Sequence, residues 1–341
     1  MNKKILVTGG TGYIGSHTVV ELLNKNYDVV IADNLSNSYQ SVVDAIEKIT
    51  GVKPVFEKTE LTDQEQTQKL FEKHSDLAGI IHFAALKAVG ESVEKPLDYY
   101  HNNLSSLINI LRGALKHNIS NFVFSSSCTV YGQPDVLPVK ETSPIQPALS
   151  PYGNTKQIGE EIITDFAAAN HFKAILLRYF NPIGAHPSAL IGELPLGAPN
   201  NLVPLITQTA IGKRPLLKVF GTDYNTPDGT CIRDYIHVVD LAKAHIIALE
   251  RMLENRQKMN VEVFNLGTGN GFSVLEVINA FEKNTGIKLN YVNTSRRPGD
   301  IEKIWADTTY ANTELGWKAE ESLDEMVLSA WRWECHLKES F

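Results

Sequence analysis

The sequence predicts an α/β protein built on a doubly wound parallel sheet, with a smaller region toward the C-terminus. Three observations carry that expectation. Short apolar, partly β-branched runs alternate with segments of helical periodicity, the pattern that gives right-handed βαβ units. The first run, Ile5-Leu6-Val7, leads through Thr8-Gly9-Gly10-Thr11-Gly12 into a helix. The second, Val29-Val30-Ile31-Ala32, ends on an acid, Asp33, 18 residues beyond Gly15.

Ile5, Leu6 and Val7 suit a strand buried on both faces. In the turn after it, Gly9, Gly10 and Gly12 are free to take backbone angles that a side chain forbids. Ile14, Val19, Leu22 and Leu23 then recur at helical spacing from Tyr13 onward. A strand, a glycine turn and a helix N-terminus together aim N–H groups and a positive dipole end at an anion. Gly10-x-Gly12-x-x-Gly15 fits the dinucleotide fingerprint, and Gly9-x-x-Gly12-x-x-Gly15 fits a variant of it. Alone, such a match reads equally as a glycine-rich turn of another α/β protein. Asp33 gives it weight. A carboxylate there accepts from ribose hydroxyls and repels a 2′-phosphate.

The polar loop Asn34-Leu35-Ser36-Asn37-Ser38 precedes a helix over 41–50, a third strand over 54–57, a charged helix over 64–73 and a strand over 79–85. A helix over 97–117 leads into Asn121-Phe122-Val123-Phe124-Ser125, and one over 152–169 into a strand over 174–180. From Pro182 to Gly229 the chain is rich in Pro, Gly and Asn, with one helix near 202–212, and is expected to cover the sheet's open end. A helix over 240–255 and a strand over 261–264 follow, and Ser273-x-x-Glu276 and Ser322-x-x-Glu325 mark helix starts as capping boxes.

The 341 residues suffice for a large core in two closely packed units. With 43% hydrophobic and 21% charged residues, the chain has no bias toward disorder. A net charge of -7 argues against general nucleic-acid binding, although Arg296-Arg297 can serve a local anion. The apolar run after Lys3 and Lys4 stops at Val7, too short for a signal peptide. No run approaches the ~18 apolar residues of a spanning helix, so a soluble cytoplasmic protein is expected. Cys128, Cys231 and Cys335 are too few for a disulfide framework or zinc site, and His17, His171 and His245 lack ligand spacing, so no metal is expected.

Tyr152 and Lys156 are four residues apart at a predicted helix start, one turn apart on one face. An ammonium beside a phenol favours phenolate, lowering a pKa that starts near ~10, so Tyr152 is a candidate base. The spacing alone is a common surface pairing. Here the helix follows the fifth strand, whose carboxyl end is where ligands bind in such sheets. Ser125-Ser126-Ser127 closes that strand and reads either as a turn or as a source of one hydroxyl to relay a proton to Tyr152. His82 and Tyr131 read as packing.

Thr8-Gly9-Gly10-Thr11-Gly12-Tyr13-Ile14-Gly15, Tyr152-x-x-x-Lys156 and the serine run resemble the extended short-chain dehydrogenase/reductases. Five further blocks narrow this, over essentially the whole chain: 82–92, Arg178-Tyr179-Phe180-Asn181-Pro182, Pro199-Asn200-Asn201-Leu202, Arg233-Asp234-Tyr235-Ile236-His237 and Asn265-Leu266-Gly267-Thr268-Gly269. Together they are similar to the UDP-glucose (UDP-galactose) 4-epimerases.

The resemblance implies a Rossmann-type domain over 1–181, rejoined by about 232–264, that binds NAD, and a smaller UDP-sugar-binding region over 182–231 and 265–341. It implies that Gly9, Gly12, Tyr13, Ile14 and Gly15 hold the pyrophosphate, and Asp33, Asn34 and Leu35 the adenosine ribose, with Asn37 and Ser38 beside them. Glu60 and Leu61 would flank the adenine, where the family usually has Asp in place of Glu60. Phe83, Ala84, Ala85, Lys87, Asn102, Tyr179 and Phe180 would line the rest of the cofactor, and Ser127, Tyr152 and Lys156 match the catalytic positions. Asn181, Asn201, Leu202, Lys218, Phe220, Arg233, Tyr235, Arg297, Asp300 and Ile304, with Lys87, Ser127 and Tyr152, would meet the UDP-sugar.

Implied in turn are a 4-keto intermediate, return of the hydride to the opposite face, and a homodimer through helices near 98–117 and 152–169. Ile304 stands where relatives restricted to glucose and galactose tend to carry Tyr, which extends the expected substrates to N-acetylated UDP-sugars. Related 4,6-dehydratases typically carry an Asp-Glu pair where this chain has Cys128-Thr129. A UDP-hexuronate 4-epimerase and a non-catalytic NAD-sensing protein remain the alternatives.

Overall fold

The structure, a computed structural model, describes residues 2–197, 199–297 and 300–340; Met1, Ala198, Pro298, Gly299 and Phe341 lie outside it. In chain order it opens with β1 (Lys4–Thr8), α1 (Tyr13–Asn24), β2 (Asp28–Asp33), α2 (Ser41–Thr50), β3 (Val55–Lys58), α3 (Gln64–Lys73) and β4 (Leu77–His82). There follow α4 (Val89–Glu94), α5 (Pro96–Lys116), β5 (Asn121–Ser125), α6 (Pro151–Ala169), β6 (Lys173–Tyr179), β7 (Asn181–Ile183), α7 (Leu202–Ala210) and β8 (Leu217–Phe220). The chain ends with β9 (Ile232–His237), α8 (Val238–Leu253), β10 (Val261–Leu266), β11 (Gly271–Ser273), α9 (Val274–Thr285), β12 (Tyr291–Thr294), β13 (Lys303–Ile304) and α10 (Leu323–Ser340).

Seven parallel strands form the large sheet in the order β10-β6-β5-β4-β1-β2-β3. Alternate residues of β1 show why helices must cover both faces. Ile5 and Val7 are fully buried in one core with Val19 and Leu22 of α1 and Leu241 and Ala244 of α8. Leu6 is fully buried in a second core with Phe71 of α3, Leu107 of α5 and Ile163 of α6. Each such side chain contributes roughly 1.5–3 kcal/mol on leaving water. The strand order reverses between β1 and β4, which opens a crevice at their carboxyl ends.

Local chemistry sets the ends of the helices that frame this crevice. Asp63 caps α3 by accepting from Glu65 and Gln66 N–H, and Ser150 caps α6 by accepting from Gly153 N–H ahead of Pro151. The Ser273–Glu276 capping box forms in full; Ser322 Oγ accepts from Glu325 N–H at 3.3 Å. Gly51 and Gly286 end α2 and α9 in the left-handed conformation.

The smaller region has its own core, which includes Ile206 of α7, Val219 of β8, Tyr235 of β9, Phe281 of α9 and Met326 of α10. Its four-stranded sheet joins β9 to β11, β13 and β7. One boundary differs from expectation. Residues 232–237 pair within this small sheet, and the chain rejoins the large one only with α8 and β10. The reason is register: Ile232 and Arg233 align with Lys303 and Ile304, strands too short to be read from periodicity. No described helix is long and apolar enough to cross a membrane.

Candidate active site

The glycine turn after β1 is built by close approach. Gly9 has φ +68°, and a Cβ there would lie 2.8 Å from the backbone nitrogen of Ala84. At Gly15 a Cβ would stand 2.2 Å from Gly9 O, so α1 packs directly on the turn. The expectation of side-chain-forbidden angles holds for Gly9 alone of the three turn glycines. Gly10 is required instead by Ile31, whose Cγ2 would be 2.9 Å from its Cβ, and Gly12 is the N-cap of α1 at φ −72°. With no capping side chain, the first-turn N–H groups of α1 stay available to an anion.

Asp33 ends β2 beside that turn. Its carboxylate accepts from Leu35 N–H at 2.9 Å, from Ser38 Oγ at 3.3 Å and from Thr11 N–H at 3.3 Å. One acid thus orders both the glycine turn and the 34–38 loop. Asn34 donates to Glu60 at 2.8 Å. Burial works against the Glu60 charge, but hydrogen bonds from Asn34 and Thr62 hold its carboxyl below the usual range.

A cavity of about 1010 Å³ lies over the carboxyl ends of the large sheet, against the smaller region. It is lined by Gly9, Gly12, Tyr13, Ile14 and Gly15 of the turn, and by Asp33, Asn34, Asn37, Ser38, Glu60 and Leu61 after β2 and β3. Phe83, Ala84, Ala85, Lys87 and Asn102 join from β4 and α5, then Ser127, Tyr152, Lys156, Tyr179 and Phe180. Asn181, Asn201, Arg233, Arg297, Asp300 and Ile304 complete the wall.

Five expected residues do not reach it. Leu35 turns back at φ +64° so that its N–H can meet Asp33. Leu202 packs on the core of the smaller region, and Tyr235, 4% exposed, is part of that core rather than an apolar wall for a ligand. Lys218 is exposed on β8. Phe220 ends that strand half-buried, with the Arg297 guanidinium 5.7 Å from its ring.

Glu193 is a site residue without a sequence signal. It lines the cavity from the Pro- and Gly-rich stretch, accepts from Asn201 Nδ2 at 2.6 Å and pairs with Lys87 at 3.2 Å. A lone acid in an irregular segment has no spacing to announce it.

Ser127, Tyr152 and Lys156 converge where β5 gives way to α6. The Tyr152 phenol and the Ser127 hydroxyl are neighbours on the cavity wall. Lys156 Nζ donates to Ser125 O at 2.7 Å and stands 5.9 Å from the Tyr152 ring centroid. The expected lowering of the phenol pKa is not what this geometry gives. Burial pushes Tyr152 well above its ordinary value, the neighbouring Tyr179 adds to the rise, and the Ser127 hydroxyl opposes it. The cause is direction: the ammonium is spent on the Ser125 carbonyl, while the phenol, on the cavity wall, is only 7% exposed. Burial also lowers Lys156 to about 8, with the carboxylate of Glu160 opposing that fall. His82 and Tyr131 serve packing as expected: His82 binds Thr8 Oγ1 at 2.8 Å between the rings of Phe122 and Phe124, and Tyr131 donates to Asn265 at 2.6 Å.

Residues 6–329 match the family model described as GDP-mannose 4,6 dehydratase. The UDP-glucose 4-epimerase of Drosophila melanogaster is 49% identical over 337 residues, covering 97% of this chain and 96% of that protein. The chain belongs to the UDP-glucose 4-epimerase family. Within the extended short-chain dehydrogenase/reductases, this family shares its framework with the dehydratases that the model describes. The epimerase of Bifidobacterium longum, solved in complex with NAD+ and UDP, superposes with a TM-score of 0.95 at 46% identity, over 99% of this chain and 100% of that one. The UDP-Glc/GlcNAc 4-epimerase of Campylobacter jejuni superposes at 0.84 with 36% identity, over 98% and 100%. The residues after Ser127 are Cys128, whose thiol burial pushes up to about 12, and Thr129.

Proposed function

We propose that this protein is an NAD-dependent 4-epimerase that interconverts UDP-glucose and UDP-galactose, and with them UDP-N-acetylglucosamine and UDP-N-acetylgalactosamine. The observation that carries the reading is the meeting of Ser127, Tyr152 and Lys156 in a cavity whose glycine turn has no room for a Cβ at Gly9 or Gly15. That turn fits a dinucleotide pyrophosphate, and Asp33 suits an unphosphorylated ribose. Bound there, NAD would supply reversible acceptance of hydride from the sugar and a positive charge in the cavity.

The residues of this chain manage protons and orientation. In its phenolate form, favoured by the positive charges of Lys156 and of bound NAD, Tyr152 would take the proton of the 4-hydroxyl and return it, and Ser127 would bridge phenol and sugar oxygen. Lys156 places a positive charge beside both. Arg233 and Arg297 offer guanidinium forks to the diphosphate, so the nucleotide stays anchored while the keto sugar turns over. Incubation of the protein with UDP-galactose should yield UDP-glucose without added oxidant. A protein that retains NAD and converts no UDP-sugar would be a sensor, and one that acts only on UDP-hexuronates would be the neighbouring epimerase. The same reading includes a homodimer through helices near 98–117 and 152–169, which light scattering would register as twice the monomer mass.

Replacing Asp33 with Ser removes a ribose acceptor, a charge that repels a 2′-phosphate and the anchor of Thr11 and Leu35. NAD affinity should fall roughly 10–100-fold, the worth of a hydrogen bond to a charged group, while NADP affinity falls less or rises. Calorimetric titration with both cofactors measures the ratio. An unchanged preference for NAD would move the discrimination away from the end of β2.

A further inference from the structure

Three consecutive serines at the end of β5 meet three α6 residues spaced one helical turn apart. Ser125 offers its carbonyl to Lys156 at 2.7 Å, Ser126 donates Oγ to Glu160 at 2.5 Å, and Ser127 lies beside Tyr152. The first and last of these rungs open onto the cavity. The middle one does not. Glu160 is 5% exposed, and its two oxygens receive the Arg178 fork, Nε at 2.9 Å and a terminal nitrogen at 2.6 Å. Arg178 continues at 3.0 Å to the Tyr131 hydroxyl, which donates to Asn265 on β10. The clamp therefore ties β5, α6, β6 and β10 together behind the reactive side chains.

Stability alone does not call for such a clamp, because a buried ion pair is often no better than an apolar pair of the same size. Its placement gives it another use. The groups facing Lys156 are His82 from β4 and, on its own helix, Tyr152 and Glu160. Burial and the Lys156 charge hold His82 at about 3, so it is neutral, and Tyr152 is kept neutral by burial. Tyr179 on β6 and Cys128 after β5, which face Tyr152, are both pushed up to about 12 by burial. Glu160, held in the Arg178 fork, is the carboxylate one helical turn from Lys156 on α6.

We propose that Glu160 is a positioning residue for the reaction: locked by Arg178 and Ser126, it fixes α6 in register with the three serines and keeps Lys156 charged beside Tyr152. It touches neither sugar nor cofactor. The kinetic arm of the proposal rests on the epimerase reading, and the structural arm does not.

The test is Glu160→Gln, with lysine labelled at the ε carbon and the Lys156 signal assigned by its loss in Lys156→Met. Lys156 should titrate about one unit or more below wild type, an opposite charge at close range being worth ~1–3 units. The sign follows from the carboxylate, which favours the ammonium. The alkaline limb of kcat should move down in pH with the titration, while NAD affinity stays within about threefold. Because this variant strands the Arg178 charge, the double variant E160Q/R178M, which removes the attracting and the more distant repelling charge together, should lower Lys156 by less than the single variant, and a measurable fall in it decides the matter if the single variant does not fold. A folded variant whose Lys156 titrates as in wild type overturns the proposal. A wild type that converts no UDP-sugar refutes the epimerase reading and leaves the lysine titration to decide this one.

Discussion

Tyr152→Phe should lower kcat by about 10²–10⁴, the usual worth of a positioned acid–base group, while NAD stays bound. The substitution deletes one oxygen. The ring remains enclosed between α6 and the ends of β5 and β6, so packing survives, and the partner lost is the Ser127 hydroxyl. A serine facing the cavity can turn to water or substrate, so little stability is forfeited. Lys156 keeps its bond to Ser125 O, which separates this variant from one that disturbs the lysine. KM for UDP-galactose should change by less than the rate, because the guanidinium groups proposed for the diphosphate, Arg233 and Arg297, are untouched. The measurement is kcat and KM with UDP-galactose, together with the cofactor content of the purified variant. Near-normal turnover would remove Tyr152 from the role of base.

How far this site could be read in advance follows from how local its parts are. The glycine turn, Asp33 and the Tyr152–Lys156 pair are each set by a few neighbouring residues or one helical turn, and each lines the cavity. Elements of the large sheet were legible because both faces are covered, which makes β1, β2 and β4 nearly continuous apolar runs. The small sheet was not, since β7, β11 and β13 span three residues or fewer and acquire their register only from β9. Tertiary placement also decided Tyr235. Its aromatic ring suits a ligand wall, but its strand turns it into the core with Phe281 and Met326.

The electrostatics were the least legible. Spacing puts a lysine one turn from a tyrosine, but only the folded chain shows that the ammonium is aimed at a carbonyl and the phenol is buried. The Glu160–Arg178 pair joins residues 18 apart through two elements, and Glu193 meets Lys87 across 106 residues. No local pattern reports contacts of that kind.

Ile304→Tyr should remove activity toward N-acetylated UDP-sugars selectively. Ile304, 2% exposed, is both a core residue and part of the cavity wall. It packs with Val130, Tyr131, Val139, Phe180 and Ala306, whereas the neighbouring Trp305 lies against Gly271. The side chain therefore does not simply fill space beneath Trp305. Ile304 is packed in that cluster and lines the cavity, so a tyrosine ring in its place is expected to extend into the cavity. Filling a packed site costs about 1–3 kcal/mol, which in kcat/KM is roughly 10–200-fold against the larger substrate. UDP-glucose and UDP-galactose lack the N-acetyl group and should lose no more than a few-fold. The experiment compares kcat/KM for both sugar pairs in wild type and variant, alongside a thermal unfolding curve to show that the core has accepted the ring. A wild type inert toward UDP-N-acetylglucosamine, or a folded variant that loses both activities equally, would sink the assignment of Ile304 as the residue that sets room at the sugar.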